Sequence, residues 1–465
     1  MILVANSAGT HPVHCSVHGV AALVVLSALC SCASGTGARP KAFTRPGIEV
    51  LKERRFDALR GKRVGLITNQ SAVDSNLRHT ADLLADQSDV RLIALFAPEH
   101  GVRGTAQAGE GVEDSVDWST GVPVYSLYRK TGDKRRKPLS GQVDGLDVLV
   151  YDIQDVGART YTYLTTLRYA MEAAAESGVE LWVLDRPNPL GGEVVEGPML
   201  ETDFESFVGP HPLPIRYGMT VGEYALMIRS ERSIDVTLEV VPIADWSREE
   251  VFSGGRGTWV APSPNIPTPE TALAYSGFVL LEGTNLSEGR GTTRPFLLFG
   301  APWLRAESIV DRLNALQLPG VRFRTTGFVP SFARCADSPE GKKSGGGTKF
   351  AGETCQAVAL HITDLHAFRP VRAAVAAITI VRELHPAELE IDAARFDKLA
   401  GTTKLREAIE RGDSVADIVL SWHDALSEFR ARRQAYLIYG RTSAGSRTRL
   451  LSSSDFDLGS GSAGR

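Results

Sequence analysis

The chain has 465 residues with a formal net charge of −4, and 43% of its residues are hydrophobic. A chain of this length predicts two or three domains, with enough apolar residues to bury a core. The nearly balanced charge argues against a nucleic-acid-binding protein, which usually carries a basic patch. No apolar run of about 20 residues follows the N-terminal segment, so the body of the chain is not predicted to cross a membrane.

The N-terminal segment has the pattern of an export signal. The apolar run 19–29 is long enough for the central region of a signal peptide and too short to span a bilayer. The sequence LCSC at 29–32 resembles a lipobox, which predicts cleavage before Cys32 and attachment of lipid to it. No Lys or Arg precedes Arg39, so the usual basic region is missing. We expect residues 1–32 to direct export to the periplasm or another extracytoplasmic space, with a lipid anchor as the contact with the membrane.

Short apolar runs alternate with helical patterns over the first part of the body, residues 48–265. Nearly continuous apolarity is what a strand covered on both faces needs, and the alternation predicts a mostly parallel, doubly wound α/β sheet. A linker at 33–47 precedes this region. The predicted strands are 63–69, 91–97, 122–128, 147–153 and 180–186, with helices at 77–86 and 160–177.

From about residue 266 the pattern loosens. A Gly/Thr-rich loop at 283–293 comes before a predicted strand at 357–364 and predicted helices at 371–384 and 413–431. This mixture predicts a second, α+β domain at 266–440. The last stretch, 441–465, has no hydrophobic periodicity and predicts a disordered tail.

Two cysteines belong to the body of the chain. Cys335 and Cys355 flank a Gly/Lys-rich loop. In an oxidising compartment two cysteines that close such a loop can form a disulfide bond, and we predict one here. Two unpaired thiols are the alternative. A metal site is not expected at this pair, because no histidine lies nearby in the sequence.

Polar side chains follow three of the predicted strands. Glu99 and His100 come directly after strand 91–97. Because ligands bind at the carboxyl ends of strands in an open parallel sheet, these residues predict a binding cleft. The polar residues at the ends of strands 147–153 and 180–186 are Asp152, Asp155, Arg159, Tyr161, Tyr163, Asp185, Arg186 and Asn188.

The familiar cofactor and nucleophile motifs are missing from the sequence. The first strand-to-helix turn has no G-x-G-x-x-G, and no G-x-x-x-x-G-K-[ST] occurs, so no nucleotide is expected. The histidines are scattered and form no H-E-x-x-H, so no metal is expected. No G-x-S-x-G marks a serine nucleophile.

Acid–base catalysis by carboxyl groups fits the strand-end residues better than a nucleotide, a metal ion or a serine nucleophile does. An acid such as Glu99, backed by an apolar strand, can keep its proton and act as a general acid. Glycoside hydrolysis needs one such acid and a second group at the oxocarbenium-like centre. Tyr161 and Tyr163 offer flat faces and hydroxyls that suit a sugar ring. The cations that can hold an anionic substituent are Arg103, Arg159 and Arg290.

Several longer motifs carry a resemblance to a known family. They include FAPEHGVRG, YDIQDVGARTYTY, PSPNIPT and LLEGTNLSEGRGTTRPF. From about residue 47 to 439 the chain resembles the exo-β-N-acetylmuramidases, long described as a family of unknown function. The resemblance implies a Rossmann-like domain with a second, smaller C-terminal domain, and a cleft between them. It also implies release of N-acetylmuramic acid from the non-reducing ends of peptidoglycan-derived muropeptides or disaccharides, without a nucleotide.

The resemblance also suggests roles for individual residues. Glu99 matches the glutamate of the family's PEHG motif and is the expected catalytic acid. Asp152 is our choice for the second catalytic group, with Asp155 and Tyr161 as rivals. The lactyl carboxylate of muramic acid needs a cation. The expected substrate-binding residues are His100, Arg103, Asp155, Arg159, Tyr163, Asn265, Asn285, Glu288 and Arg290.

Structural roles are the alternative for several of these residues. Asp152 and Asp155 can each cap a helix or bind loop amides, and Arg159 can pair with Asp155. His100 can orient Glu99. The tryptophans are more typical of core positions than of sugar platforms; they include Trp118, Trp182 and Trp303.

Two other functions stay open at this point. A non-catalytic cell-wall-binding lipoprotein would keep the cleft and lack turnover. An amidase or esterase acting on the peptide or lactyl part would need a nucleophile that the sequence does not offer. Both retaining and inverting hydrolysis are compatible with the sequence, as are a monomer and an oligomer.

Overall fold

The computed structural model describes residues 44–129, 136–252, 257–331 and 348–440. The predicted signal peptide with Cys32, most of the predicted linker and the predicted tail lie outside these residues. Cys335 does so as well, while Cys355 is buried. The lipid anchor and the disulfide bond therefore stay predictions.

The strands in the described ranges are β1 (Arg63–Thr68), β2 (Arg91–Ala97), β3 (Ser115–Val116), β4 (Pro123–Ser126), β5 (Val148–Asp152), β6 (Glu180–Leu184), β7 (Glu196–Met199), β8 (Pro214–Arg216), β9 (Leu238–Val241), β10 (Leu298–Ala301), β11 (Val321–Phe328) and β12 (Cys355–Ile362). Seven of them form the main sheet, in the order β3-β4-β2-β1-β5-β6-β9. Every neighbouring pair is parallel except β3 and β4, which are antiparallel.

The sheet is covered on both faces, which explains its continuous apolar strands. Along β5, Leu149 and Tyr151 pack into one hydrophobic cluster, while Val148 and Val150 pack into another on the opposite face. Strand β6 alternates between the same two clusters. Each fully buried aliphatic side chain contributes roughly 1.5–3 kcal/mol relative to exposure. The prediction of a mostly parallel α/β sheet is confirmed.

Helices connect the strands and cover the sheet. They are α1 (Gly47–Glu53), α2 (Thr80–Ala85), α3 (Ser140–Val143), α4 (Tyr163–Ser177), α5 (Val221–Glu231), α6 (Pro269–Phe278), α7 (Ala306–Ala315), α8 (Pro370–Leu384), α9 (Ala393–Ala400), α10 (Lys404–Arg411), α11 (Val415–Leu420) and α12 (His423–Arg433). Three short 3₁₀ helices lie at Asp57–Leu59, Thr202–Phe204 and Val279–Gly283. Among the described residues, no helix has the length and apolarity needed to span a membrane.

The prediction of a single helix over 413–431 is wrong. The chain forms α11 and α12 there, with a break at Ser421 and Trp422. The Ser421 hydroxyl donates to the carbonyl oxygen of Ile418, which favours the end of a helix at that serine. Trp422 is 6% exposed, so the break between the two helices places its aromatic side chain in the core.

The later part of the chain forms the second, smaller α+β portion. Strands β10, β12 and β11 make an antiparallel sheet in that order, and β7 pairs with β8 in a separate antiparallel pair. Helix α8 packs against α6 and α7, and α7 packs on this sheet. The fold class expected from the sequence is therefore confirmed, while the domain boundaries stay predictions.

Candidate active site

The turn after β2 positions the candidate catalytic glutamate. Strand β2 ends at Ala97, and Glu99 follows in a half-buried position. His100 and Gly101 then adopt left-handed backbone conformations, with φ values of 76° and 78°. Two such residues in succession turn the chain sharply, and glycine accepts this conformation without a steric cost. The turn leaves Glu99 at the carboxyl edge of the sheet.

Two donors from separate segments hold the Glu99 carboxylate. The backbone N–H of Gly109 donates to Oε1 at 2.9 Å. The hydroxyl of Thr162 donates to Oε2 at 3.2 Å. Thr162 immediately precedes α4, so the carboxylate bridges the loop after β2 and the start of this helix. Its position is therefore fixed from two sides.

A cluster of tyrosines lies beside Glu99. The ring of Tyr161 packs edge-on against Tyr163 and Tyr275, with centroid distances of 4.9 and 5.7 Å. Burial raises the pKa of each of these phenols, and the negative charge of Glu99 raises it further. The three hydroxyls are therefore neutral donors. The Tyr161 hydroxyl is buried near Ser263 and Tyr163, but it makes no hydrogen bond of good geometry to any of the described residues.

Charged side chains from the Gly/Thr-rich loop form the opposite wall. Arg290 pairs with Glu282 and lies 3.2 Å from Glu288, measured from Nε to Oε1. Glu288 also pairs with Lys349 at 3.0 Å, and Glu282 pairs with Arg395 at 2.8 Å. Burial disfavours the charge of Glu288, but the positive charges of Lys349 and Arg290 outweigh it and lower the pKa of Glu288. Arg290 Nη1 has no hydrogen-bond partner among the described residues.

The charges of Glu99, on one side of the site, and of Arg290, on the other side, act on the same neighbouring groups. Burial lowers the pKa of His100, while the charge of Glu99 raises it and the charge of Arg290 lowers it. Tyr275 likewise responds to Glu282, Arg290 and Glu99. Salt and water screen charges, so a charge changes the pKa of another group noticeably only when the two are close together. The structure thus brings together Glu99, His100, Tyr161 and Arg290 from the predicted set, around Tyr275.

Asp152 lies deeper than Glu99, and its carboxylate is fully engaged. Arg186 donates to both oxygens, from Nε at 2.5 Å and from Nη2 at 3.0 Å. The Thr80 hydroxyl donates to Oδ2 at 2.5 Å. Asp152 is 0% exposed. These contacts favour a structural role, and the catalytic role of Asp152 stays a prediction.

Asp155 and Arg159 are both buried but do not pair with each other. Asp155 accepts hydrogen bonds from the Tyr217 hydroxyl at 2.5 Å and from the Gly157 N–H at 2.7 Å. Burial raises the pKa of Asp155 to about 6. The Arg159 guanidinium donates to four carbonyl oxygens instead, those of Pro198, Leu213, Leu399 and Ala400. The alternative of an Asp155–Arg159 pair is therefore wrong.

The remaining predicted site residues make contacts within the protein. Arg103 is held between Asp82 and Asp117, both at 2.7 Å from Nη2. Asn285 binds main-chain groups of Glu388 and Glu390.

Tyr163 and Asn265 lie near Pro262 and Ser263. The Tyr163 hydroxyl accepts from Asn69 and donates to the carbonyl of Pro262. Asn265 is half-buried beside Ser263. For Arg103, Asn285, Tyr163 and Asn265 a role in substrate binding stays a prediction.

The tryptophans occupy different environments. Trp182 lies in one hydrophobic cluster at 6% exposure, and Trp303 is partly buried against the other cluster. Trp118 is 75% exposed, so the core position expected for it is wrong. Its indole lies over the Arg103 guanidinium at 5.8 Å, which explains how an exposed ring is held.

Sequence reasoning missed four contributors to the cleft. Thr162 lies between Tyr161 and Tyr163 in the motif YDIQDVGARTYTY, so its position in the sequence indicated that it lies near Glu99. Gly109 donates only its backbone N–H, which no side-chain pattern reports. The other two are Tyr275, from α6, and Lys349, which donates a hydrogen bond to Glu288, a residue 61 positions earlier in the sequence. No group of His, Cys, Asp or Glu within the described ranges is arranged to hold a metal ion.

Comparison with known proteins places this site in a family. Two family models match the chain: exo-β-N-acetylmuramidase NamZ, N-terminal, over residues 64–270, and its C-terminal counterpart over residues 273–439. The peptidoglycan β-N-acetylmuramidase NamZ of Bacillus subtilis (strain 168) is 45% identical over 405 residues, which cover 87% of this chain and 93% of that protein.

Two crystal structures of DUF1343 family proteins from Bacteroides fragilis NCTC 9343 are also similar. One has a TM-score of 0.76 at 38% identity, and the other 0.65 at 28% identity. Each similarity covers 86% of this chain and 100% of the other. From the family models and the B. subtilis relative, the chain belongs to the exo-β-N-acetylmuramidase family.

Proposed function

We propose that this protein releases N-acetylmuramic acid from the non-reducing ends of peptidoglycan fragments, with Glu99 as the catalytic acid. The observation that carries the proposal is the position of Glu99. Its carboxylate is half-buried, held by Gly109 and Thr162, and faces the buried hydroxyl of Tyr161. The name of the B. subtilis relative supports the choice of peptidoglycan as the substrate.

The chemistry follows from the groups in the cleft. Protonated Glu99 gives its proton to the glycosidic oxygen as the bond from that oxygen to the anomeric carbon breaks. Positive charge then develops on the sugar ring, and water adds to the anomeric carbon to give N-acetylmuramic acid. A buried phenol that lacks a hydrogen bond of good geometry can donate to the sugar. We therefore prefer Tyr161 to Asp152 as the second group that touches the substrate.

The muramic acid side chain carries a carboxylate, and Arg290 is the cation we assign to it. Its Nη1 has no hydrogen-bond partner among the described residues, while Nη2 is fixed by Glu282. A guanidinium with one side anchored presents its remaining N–H groups in a fixed direction. N-acetylglucosamine has no such carboxylate, so this contact would separate the two sugars of the glycan.

The deciding experiment compares a chromogenic β-N-acetylmuramide with the matching β-N-acetylglucosaminide, using wild type and Glu99→Gln. We expect wild type to cleave only the muramide, and Glu99→Gln to be at least about 10²-fold slower, because general acid catalysis contributes about that much. Asp86→Asn, at an exposed site beyond α2, is the control for loss of a carboxylate. Binding of wall fragments without turnover would instead favour the cell-wall-binding lipoprotein.

We also propose that the protein is exported and carries lipid on Cys32. The apolar run 19–29 and the lipobox-like 29–32 support this. Metabolic labelling with a fatty acid should mark wild type and Cys30→Ser but not Cys32→Ser. A label that survives Cys32→Ser would contradict the proposed anchor.

The predicted disulfide between Cys335 and Cys355 is a further proposal that follows from export. Thiol alkylation of the exported protein under denaturing conditions should modify neither cysteine before reduction and both after it. Modification of both without reduction would show two free thiols.

A further inference from the structure

A second pocket lies away from the Glu99 cleft, beside the segments that follow β6 and β9. Its volume is about 130 Å³, room for about four water molecules. The basic residues lining it are Arg216, Arg248, His366 and Arg369. Neither Glu99 nor any charged residue of the Arg290 wall lines it. The pocket is therefore separate from the proposed active site.

Arg216 is the buried residue of this pocket and has two unused donors. It is 1% exposed, and its Nη2 donates to the carbonyl oxygen of Leu190. Its Nε and Nη1 have no hydrogen-bond partners among the described residues. A buried guanidinium with two unused donors is costly for the folded protein.

The nearest counter-charge to Arg216 is the buried Glu196. Glu196 pairs with Arg216 across β7 and β8, and its Oε1 accepts from the backbone N–H of Arg372 at 2.8 Å. Its charge attracts both Arg216 and Arg369, but its Oε2 has no hydrogen-bond partner among the described residues. Burial lowers the pKa of Arg216 to about 10, and the charge of Arg369 lowers it further against the opposing effect of Glu196.

The other charges around the pocket are accounted for. Arg248 is neutralised by Glu223, at 2.7 Å. Arg369 donates from Nη1 to the carbonyl oxygens of its own loop, and no carboxylate among the described residues forms an ion pair with it. The two acids that line the pocket, Glu193 and Glu249, are both exposed. The buried Glu196 offsets one of the two charges of Arg216 and Arg369, so the inner part of the pocket keeps a net positive charge.

We propose that this pocket binds a small oxyanion, a phosphate or carboxylate group, between Arg216 and Arg369. Such a group would accept from Nε and Nη1 of Arg216 and balance the remaining positive charge of Arg216 and Arg369. Charge-assisted hydrogen bonds of this kind are about twice as strong as neutral ones. The ligand is either a free anion or the anionic end of a larger molecule.

Titration of the full-length protein with inorganic phosphate, followed by ³¹P line broadening, tests the proposal. Saturable binding is expected for wild type. Arg369→Gln should weaken it about tenfold, because it removes one charged donor. Arg372→Gln is the matched control, since Arg372 lies three residues further along the chain, is exposed and does not line the pocket. Arg216→Gln should abolish binding, with thermal melting used to confirm that the variant folds.

Competition identifies the site and the chemistry of the anion. N-acetylmuramic acid should not displace phosphate, because it is expected in the Glu99 cleft. Displacement by acetate would show that the pocket accepts carboxylates, and failure of acetate to compete would assign it to phosphate. The proposal is overturned if phosphate binding does not saturate, if Arg372→Gln weakens it as much as Arg369→Gln, or if N-acetylmuramic acid displaces it. None of these readouts depends on glycosidase activity.

Discussion

Removing the Thr162 hydroxyl should slow hydrolysis without weakening substrate binding. Thr162→Val keeps the shape of the side chain and deletes the donor to Glu99 Oε2. The hydroxyl makes no capping bond to α4, so the start of the helix loses no hydrogen bond. The effect therefore reports on the position of the Glu99 carboxylate alone.

The expected magnitude follows from the geometry of this bond. A hydrogen bond to a charged group contributes roughly 1.5–3 kcal/mol. The O···O distance of 3.2 Å is longer than the usual value of about 2.7–2.8 Å, so the lower end applies. About 1.5 kcal/mol corresponds to a roughly tenfold loss of kcat.

Steady-state kinetics on the chromogenic muramide measure this effect. Thr162 is a positioning residue, so kcat should fall while KM stays within about twofold of wild type. Thr166→Val is the matched control, because its hydroxyl lies on the same helix and donates at 3.2 Å, but to a carbonyl oxygen. An unchanged kcat for Thr162→Val, or an equal loss in Thr166→Val, would refute the reasoning.

Four further predictions follow from buried groups. Tyr161→Phe should lower kcat/KM about tenfold and leave the melting temperature nearly unchanged, because the Tyr161 hydroxyl makes no hydrogen bond of good geometry to any described residue. Tyr163→Phe should lower the melting temperature, since the Tyr163 hydroxyl bonds to Asn69 and to the Pro262 carbonyl. Asp152→Asn should destabilise the protein by about 3 kcal/mol in urea unfolding, because it leaves the Arg186 charge buried and unpaired; a folded, fully stable and inactive variant would restore the catalytic role of Asp152. Arg159→Met should cost at least about 3 kcal/mol of unfolding free energy, since four carbonyl oxygens lose their donor. Burial raises the pKa of Asp185 to about 7, so the folded state holds a proton that the unfolded state releases above about pH 4. The stability from this group is full below that pH and is lost as the pH rises to 7, and Asp185→Asn should reduce the change in melting temperature between pH 5 and pH 7. An equal change in wild type and variant would contradict the assignment.

The sheet was predictable because its signal is local. Four of the five residues in β5, and four of the five in β6, alternate between two cores, so the strands are nearly continuous in apolar residues. Such a run can be recognised within about five residues. The turn at Glu99 was predictable for the same reason, since the strand, the acid and the glycine are adjacent in sequence.

The contacts of the other polar residues depend on distant segments. Arg159 meets the carbonyl oxygen of Ala400 across 241 residues, and Asn285 meets the main chain of Glu390 across 105. A strand-end arginine with four carbonyl partners has the same local sequence as one that faces a ligand. Only the folded structure distinguishes these two cases, because the partners of the arginine are backbone carbonyl groups. The residue types in the sequence do not reveal which backbone groups will lie near it.

The three carboxylates at the ends of β2, β5 and β6 show how one sheet edge separates a reactive acid from structural ones. Asp152 and Asp185 are 0% exposed, and each accepts from several donors: Arg186 and Thr80 for the first, and Thr220, Tyr439 and the Gly222 N–H for the second. Glu99 accepts hydrogen bonds from Gly109 and Thr162, one on each oxygen, lies near the Tyr128 hydroxyl and stays half-buried. A carboxylate oxygen has two lone-pair sites, so each oxygen of Glu99 can still take a proton or meet a glycosidic oxygen. Position at a strand end is thus shared by all three acids, and the number of donors around each one decides which can exchange a proton with a substrate.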